Sequence, residues 1–516
     1  MLCIPRSPSS LCSVPDANSS RNPANHCGGL RKYSIPGALN LIADIDSASY
    51  LDPMNEPNKK VIISTDPANN FNKLGEVAIS TESEIQTTVS AARAAYPAWR
   101  DIGLEARVNY LRRVLSVFKE RRSEIETATT REMGQTISQA RSSNDWSFDH
   151  FNWYLDNAAT YLRPIVTFED EKQIHTQIRE PYGVTAVISP WNFPISNFIM
   201  GAIQSLLAGN TVVYKVSEEI PLFGTLLDQL IRSAGLPGGV FSQVYGDGSV
   251  GETLAKSDID LLFFTGSSRV GRKLYQICAE RFIPCILELG GSDAGIVCED
   301  VDLDANLDAI FWAKFINNGQ ICCGLKRLIV HQKVFDQTVN SLAAYLSKKT
   351  IGDPMNEDTT FGPLVADRQR VLIEAQVSDA ASKGAKVIRC GEIASNLRGA
   401  YYPPTLLVGV TPDMRAWSEE LFGPVLSIIP FSKDEEAISI ANATEYGLGG
   451  YVYTSSPERF KCFANRVETG SISHNGCDFS GPFNSFGGYK KSGLGKTCGG
   501  LGFHSVSRVK AISEWR

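Results

Sequence analysis

The apolar positions divide this chain into a helical stretch, a long alternation of strands and helices, and two short segments that alternate by twos. Between Glu82 and about Leu162 they fall three and four apart, as in Ala91, Ala94, Ala95 and Trp99, and then Val108, Leu111, Val114, Leu115 and Phe118. That spacing collects them on one face of each helix and predicts packing helices. Residues 166–179 alternate weakly around the charged centre Glu169-Asp170-Glu171-Lys172, the pattern of a hairpin.

From Gly183 to Leu289, short apolar strands at 184–189, 211–215, 241–245, 261–264 and 286–289 are separated by helical runs. Strands that are apolar throughout belong to a parallel sheet covered on both faces. A second α/β unit runs from about Ser292 to Phe479, with strands near 294–297, 328–330, 426–429 and 451–453. The end of the chain, 506–515, alternates again and reads as a strand.

Composition narrows the class of protein. With 516 residues there is room for two or three domains with large buried cores. A hydrophobic share of 43% and a charged share of 21% are those of a soluble globular protein. The formal charge of -6 offers nothing to a polyanion, so nucleic acid is not an expected partner. No membrane span is expected either, because the longest apolar run, Ile195 to Leu207, is broken by Asn197, Gly201 and Gln204. Twelve cysteines without C-x-x-C or Cys/His spacing suggest neither a disulfide framework nor a metal site. A reducing compartment follows.

Residues 1–35, rich in Ser, Pro and Asn, read as a disordered extension. Arg6, Arg21, Arg31 and Lys32 against Asp16 leave mitochondrial targeting open, but Pro5, Pro8, Pro15 and Pro23 oppose the amphipathic helix it needs. The expected location is cytoplasmic.

The candidate chemistry centres on Asn317-Asn318-Gly319-Gln320-Ile321-Cys322-Cys323-Gly324, which joins a helical run to a strand-like one. A thiolate is a strong nucleophile and is best presented at the end of an element, although most cysteines are simply small buried hydrophobes. Glu288 lies between Leu287 and Leu289 at the end of an apolar strand, where a carboxyl is either paired or has an adjustable pKa. The first alternative is a structural ion pair and the second a general base. Gly266-Ser267-Ser268-Arg269-Val270-Gly271 opens a helix, and such a turn offers free N–H groups to a phosphate or merely caps the helix. Lys215 and Glu218 follow a strand, as ribose-binding residues or as a solvated strand end.

Gly319-Gln320-Ile321-Cys322 resembles the active-site cysteine motif of the aldehyde dehydrogenase superfamily. Further blocks match in order: Pro190-Trp191-Asn192-Phe193-Pro194, Val213-Tyr214-Lys215-Val216-Ser217-Glu218, Phe264-Thr265-Gly266-Ser267, Leu287-Glu288-Leu289-Gly290-Gly291, Glu419-Glu420-Leu421-Phe422-Gly423-Pro424 and Ser485-Phe486-Gly487-Gly488-Tyr489-Lys490. The resemblance implies an α/β fold with a Rossmann-like parallel-sheet cofactor domain at 36–162 and 181–289, and a second α/β catalytic domain at 290–499. A small β oligomerisation arm at 163–180 and 500–516 would complete it, its C-terminal strand pairing with a neighbouring subunit in a homodimer or homotetramer.

The implied function is oxidation of an aldehyde to the carboxylic acid through a cysteine thiohemiacetal and thioester. Cys322 is then the nucleophile, Cys323 a pocket wall, Glu288 the base and Asn192 an oxyanion donor beside the backbone N–H of Cys322. By itself Asn192 reads as a turn residue. Ser189, Pro190, Trp191, Lys215, Glu218, Gly266, Ser267, Leu289, Glu420 and Phe422 fall where the family holds its dinucleotide. Glu218 repels a 2′-phosphate, so NAD is expected over NADP, which stays open. Two departures stand out: Val216 replaces the usual proline, and Gly495-Lys496-Thr497-Cys498-Gly499 stands where Gly-Arg-Glu-x-Gly is common.

For the substrate, Phe193, Ser196, Met200, Ile321, Cys323, Asp478, Phe479, Ser480 and Phe486 are the expected walls, without Arg or Lys. They suit small to medium aliphatic or aromatic aldehydes, whereas Gly291-Ser292-Asp293 and Asn318-Gly319-Gln320 resemble the succinate-semialdehyde branch. Two other readings are a CoA-acylating enzyme, against which Glu288 argues, and a catalytically silent member, against which the retained Cys322, Glu288, Asn192 and Lys215 argue.

Overall fold

Strands that are apolar at every position need cover on both faces, and two sheets provide it. The computed structural model describes residues 59–516; the expected extension at 1–35, and residues 36–58 of the expected cofactor domain, lie outside the described residues. The first sheet runs from edge to edge as Gly493–Leu494, Cys285–Glu288, Leu261–Thr265, Val184–Ile188, Thr211–Lys215 and Phe241–Val244. Its neighbours are parallel except Gly493–Leu494, which runs antiparallel to Cys285–Glu288. Val184–Ile188 and Thr211–Lys215 are buried at every residue. Each fully buried Val, Ile or Leu there contributes roughly 1.5–3 kcal/mol.

The chain enters this sheet at Val184–Ile188, builds outward to Phe241–Val244, and returns on the other side with Leu261–Thr265. The order therefore reverses between Val184–Ile188 and Leu261–Thr265, and a parallel sheet that reverses opens a crevice at the carboxyl ends of its strands. The residues after those two strands, from Pro190 and from Gly266, line that crevice.

The second sheet holds Lys386–Arg389, Thr405–Val408, Val425–Phe431, Leu325–His331, Asp293–Val297, Gly450–Tyr453 and Ser473–His474, parallel apart from its Lys386–Arg389 edge. Four helices, Glu82–Asp101, Leu104–Glu120, Arg122–Met133 and Ile137–Leu162, fill the stretch of three- and four-residue spacing. They also brace the site. Trp99 Nε1 donates to the Leu206 carbonyl at 3.1 Å and the buried Arg107 Nε to that of Leu207 at 3.0 Å, fixing the helical segment that follows Asn192. Among the described residues no helix is long and apolar enough to cross a membrane.

Two expectations gain detail from the strand pairing. The C-terminal strand Ser507–Trp515 pairs within its own chain, antiparallel to Gln173–Pro181 over nine matched residues, in a three-stranded sheet with Ile165–Glu169. The helix Gly499–Ser505 packs against Ile137–Leu162 and delivers the chain end to that sheet, where it forms an edge strand. The chain also leaves the second unit before residue 499. Gly493 pairs with Glu288 in the first sheet, and a Cβ there would lie 2.3 Å from the Leu287 carbonyl oxygen, so glycine permits the approach.

Candidate active site

Cys322 stands in a turn that few residue types can form. After the helix Leu303–Lys314 the backbone turns left-handed at Asn317 (φ 50°), Asn318 (φ 53°) and Gly319 (φ 71°). Asparagine tolerates this region and glycine prefers it. A Cβ on Gly319 would also lie 2.2 Å from the Gly423 carbonyl oxygen. Gln320 locks the turn, its Nε2 donating to the Asn317 carbonyl at 3.1 Å and its Oε1 accepting from the Val365 N–H at 3.0 Å.

Lys326 is the second residue of the following strand, Leu325–His331, with its side chain 1% exposed, and its ammonium donates to the carbonyls of Ile321 at 2.6 Å and Cys322 at 2.5 Å. This pins the backbone of the nucleophile and brings a positive charge to it. The Cys323 thiol donates to the Cys322 sulfur, and with Lys326 this holds Cys322 below the ordinary thiol range against burial and the charge of Glu420. Cys323, whose thiol is hydrogen-bonded to that sulfur and largely shielded from solvent, is pushed well above it. Negative charge is thus favoured on Cys322 and the proton on Cys323.

Glu288 closes the strand Cys285–Glu288, and neither of its buried carboxyl oxygens has a hydrogen-bond partner. Burial pushes its pKa well above the carboxylate range; the charge of Cys322 adds to this and Lys496 opposes it. No ion pair of Glu288 occurs among the described residues, so the structural alternative finds no partner. Asn192 is fixed on every side: its Nδ2 donates to the Gln320 carbonyl at 3.0 Å, its Oδ1 accepts from Asn197, and its backbone carbonyl accepts from Asn317 Nδ2 at 2.7 Å. One of its two amide hydrogens remains for a ligand.

A cavity of about 170 Å³ joins these groups. Cys322, Glu288 and Asn192 line it with Pro190, Trp191, Gly266, Ser267, Leu289, Glu420 and Phe422, and also with Thr265, Gly290 and Gln369. The rings of Trp191 and Phe422 meet edge to face at 5.6 Å. Glu420 Oε1 accepts from the Gly291 N–H at 3.1 Å and lies 3.6 Å from Lys326 Nζ. A Cβ on Gly290 would lie 2.3 Å from the Glu420 carboxylate, which gives the glycine pair its steric reason.

Ser189, Lys215 and Glu218 lie outside the lining of this cavity. Lys215 is buried, donating to the Val216 carbonyl at 3.0 Å and to Glu218 at 3.4 Å; burial lowers its pKa while Glu218 and Asp247 oppose the shift. The buried Ser189 hydroxyl has no partner. Ser267 caps the 12-residue helix Ser268–Ala279 by accepting from the Val270 N–H at 3.4 Å, and a Cβ on Gly266 would strike the Phe264 ring at 2.5 Å. A helix N-terminus, an orphaned hydroxyl and a buried ammonium around one crevice fit an anionic dinucleotide.

Among the expected substrate walls, Ser196 Oγ lies 2.6 Å from Ser147 Oγ, and His150 Nε2 lies 2.7 Å from the Ser480 carbonyl oxygen. Met200 belongs to a π-helical turn, Ile199–Ile203, of the kind that recurs at functional sites. Sequence reasoning missed Gln369, Lys326 and Lys496. Lys326 had a signal, as a cation opening an apolar strand; Gln369, on the outlying helix Asp367–Ser382, had none.

The aldehyde dehydrogenase family model matches residues 54–512. The chain is 33% identical over 433 residues to a succinate-semialdehyde dehydrogenase (NADP(+)) of Deinococcus radiodurans, covering 83% of this chain and 90% of that one. It is 34% identical over 442 residues to a glutarate-semialdehyde dehydrogenase of Pseudomonas aeruginosa, covering 85% and 91%. A crystal structure of an NAD-dependent aldehyde dehydrogenase from Sinorhizobium meliloti superimposes with a TM-score of 0.85 at 33% identity, over 88% of this chain and 91% of that one. With the match running through both sheets and every residue that lines the cavity, the chain belongs to the aldehyde dehydrogenase family.

Proposed function

We propose that Cys322, Glu288 and Asn192 carry out the oxidation of an aldehyde to its carboxylic acid. The chain is an NAD(P)-dependent oxidoreductase acting on aldehydes. What supports these roles is the meeting of Cys322 and Glu288 in one cavity with Trp191, Glu420 and Phe422. The Cys322 sulfur adds to the aldehyde carbon, and the carbonyl electron pair moves to oxygen. Asn192 Nδ2 and the Cys322 backbone N–H hold that oxyanion, which fixed donors stabilise more than they do the neutral carbonyl.

Lys215, Glu218, Gly266, Ser267, Glu420 and Phe422 would hold a nicotinamide dinucleotide, which would supply the hydride acceptor for the change from thiohemiacetal to thioester on Cys322. Glu288 then takes a proton from water; the hydroxide attacks the thioester carbonyl, the C–S bond breaks, and Cys322 leaves as thiolate. An acid with both oxygens free and a pKa raised by burial suits this step, and supports release by water over release by CoA.

The substrate in this reading is a small to medium aliphatic or aromatic aldehyde. Its walls carry hydroxyls at Ser196 and Ser480, backed by the buried Ser147 and His150, but no Arg or Lys. The relatives named for succinate and glutarate semialdehydes favour a second reading, a carboxylate-bearing aldehyde held by those hydroxyls. A kcat/KM panel over both substrate sets with NAD and NADP tests function and cofactor together. The exposed Glu218 carboxylate is expected to disfavour NADP, and Glu218→Ser to raise the NADP/NAD ratio about tenfold. A wild-type preference for NADP would refute the role of Glu218, and a semialdehyde preference would select the second reading.

The protein forms a dimer or tetramer in this reading. Ile165, Val166 and Phe168 of the arm are about half exposed, and Phe282 is 95% exposed beside Tyr275 and Leu494. Apolar surface of that extent is usually covered. Sedimentation at a multiple of the chain mass is expected; a monomer at working concentration would contradict it.

A further inference from the structure

Glu288 lacks something a base needs. Its oxygens are buried and accept no hydrogen bond, so nothing in direct contact sustains the carboxylate that must take a proton from water. Resting on the reading of Glu288 as that base, we propose that Lys496 is the positioning residue that keeps it ionised, acting across Gly487.

The geometry is specific. Gly487 lies between the two side chains: a Cβ on it would be 2.9 Å from Glu288 Oε1 and 3.0 Å from Lys496 Cδ. With φ +140° at this glycine, the backbone permits the approach and any side chain would close it. The Lys496 ammonium donates to the Gly487 carbonyl, which anchors the charge to the residue whose empty side-chain position adjoins the carboxyl.

The segment carrying Lys496 is held at both ends. Gly493 and Leu494 pair with Glu288 and Leu287, and Thr497 exchanges backbone hydrogen bonds with Phe486 at 2.7 and 2.9 Å. Lys496 is part-exposed, and its ammonium lies 5.4 Å from the centre of the exposed Tyr489 ring, so it reaches from the buried base towards solvent. The groups facing Glu288 are Cys322 from the nucleophile turn, Lys496, and Cys498, a thiol pushed up to about 12 by burial and therefore neutral. Cys322 opposes the carboxylate, and Lys496 favours it. Burial still opposes the carboxylate once Cys322 carries the acyl group, but the charge of Cys322 is gone, and the ammonium acts on Glu288 without an opposing charge during the step that needs the base.

Hydrolysis of 4-nitrophenyl acetate reads this without any cofactor: the burst of nitrophenolate reports acylation of Cys322, and the later steady rate reports deacylation. Lys496→Met is expected to leave the burst intact and move the rising limb of the deacylation rate about one pH unit alkaline, about tenfold slower at pH 7. Lys496→Arg is expected to keep the wild-type limb. Infrared titration of the Glu288 carboxyl, identified by its loss in Glu288→Gln, should move by the same amount and needs no turnover. A limb and a carboxyl titration unchanged in Lys496→Met, or equal slowing in Met and Arg variants with an unmoved limb, would overturn the proposal while leaving Glu288 as the base. Wild-type steady turnover in Glu288→Gln would instead remove the reading beneath it.

Discussion

Cys322→Ala is expected to abolish aldehyde oxidation, lowering kcat/KM by roughly 10⁴-fold or more, because no other group lining the cavity can form the thioester. Cys323→Ala should retain the reaction with an altered pH dependence. The Cys323 thiol donates to the Cys322 sulfur and is the leading cause of its lowered pKa. Without that donor the Cys322 pKa rises, and less thiolate is present at neutral pH. For each unit of rise, acylation at pH 7 falls about tenfold and is recovered at more alkaline pH. Alkylation by iodoacetamide across pH, measured beside NADH formation, separates the cases: Cys322→Ala loses the fast-reacting thiol, and Cys323→Ala keeps it with a shifted titration. Turnover by Cys322→Ala together with a dead Cys323→Ala would exchange the two assignments.

The parallel strands were legible because burial on both faces leaves no polar position to interrupt them. Val184–Ile188 and Thr211–Lys215 fall within a residue of their expected bounds. The hairpin Val61–Asp66 with Asn72–Ala78 is largely exposed, so no core pattern marks it, and the sequence reading assigned no element there. The partner of the C-terminal strand was illegible for another reason. Alternation shows that a strand has two faces, whereas its neighbour is set by where the helix Gly499–Ser505 docks.

The site divides in the same way. Cys322, Glu288 and Asn192 stand in local motifs whose glycines record close backbone approaches, such as Gly319 against Gly423 and Gly290 against Glu420. Lys326, Gln369 and Lys496 act through neighbours brought together by the fold. Lys326 is one more lysine as the fourth residue after Cys322, and only the fold sets its ammonium on the Cys322 carbonyl. Lys496 and Glu288, more than 200 positions apart in the chain, both approach the side-chain position of Gly487, a glycine belonging to neither motif.

Glu288→Gln should separate the two halves of the reaction. The substitution keeps the shape of the side chain and removes its capacity to take a proton, whereas acylation depends on Cys322, whose lowered pKa comes first from Cys323 and then from Lys326. One equivalent of NADH per active site is expected in a rapid burst, followed by turnover about 10²- to 10⁴-fold below wild type. The acyl group should remain on Cys322 and be detectable by mass spectrometry of the intact protein. The pH dependence follows from the direction of the Glu288 shift. Burial raises its pKa well above that of a free carboxyl, so the protonated, inactive form persists to higher pH. Wild-type deacylation should therefore rise with pH along a limb set by this group, and acyl-enzyme should accumulate below it. The glutamine variant should lack that limb and stay slow throughout. A variant that binds dinucleotide normally but gives no burst would assign Glu288 to the activation of Cys322, before the thioester exists, and would place the base for hydrolysis elsewhere in the cavity.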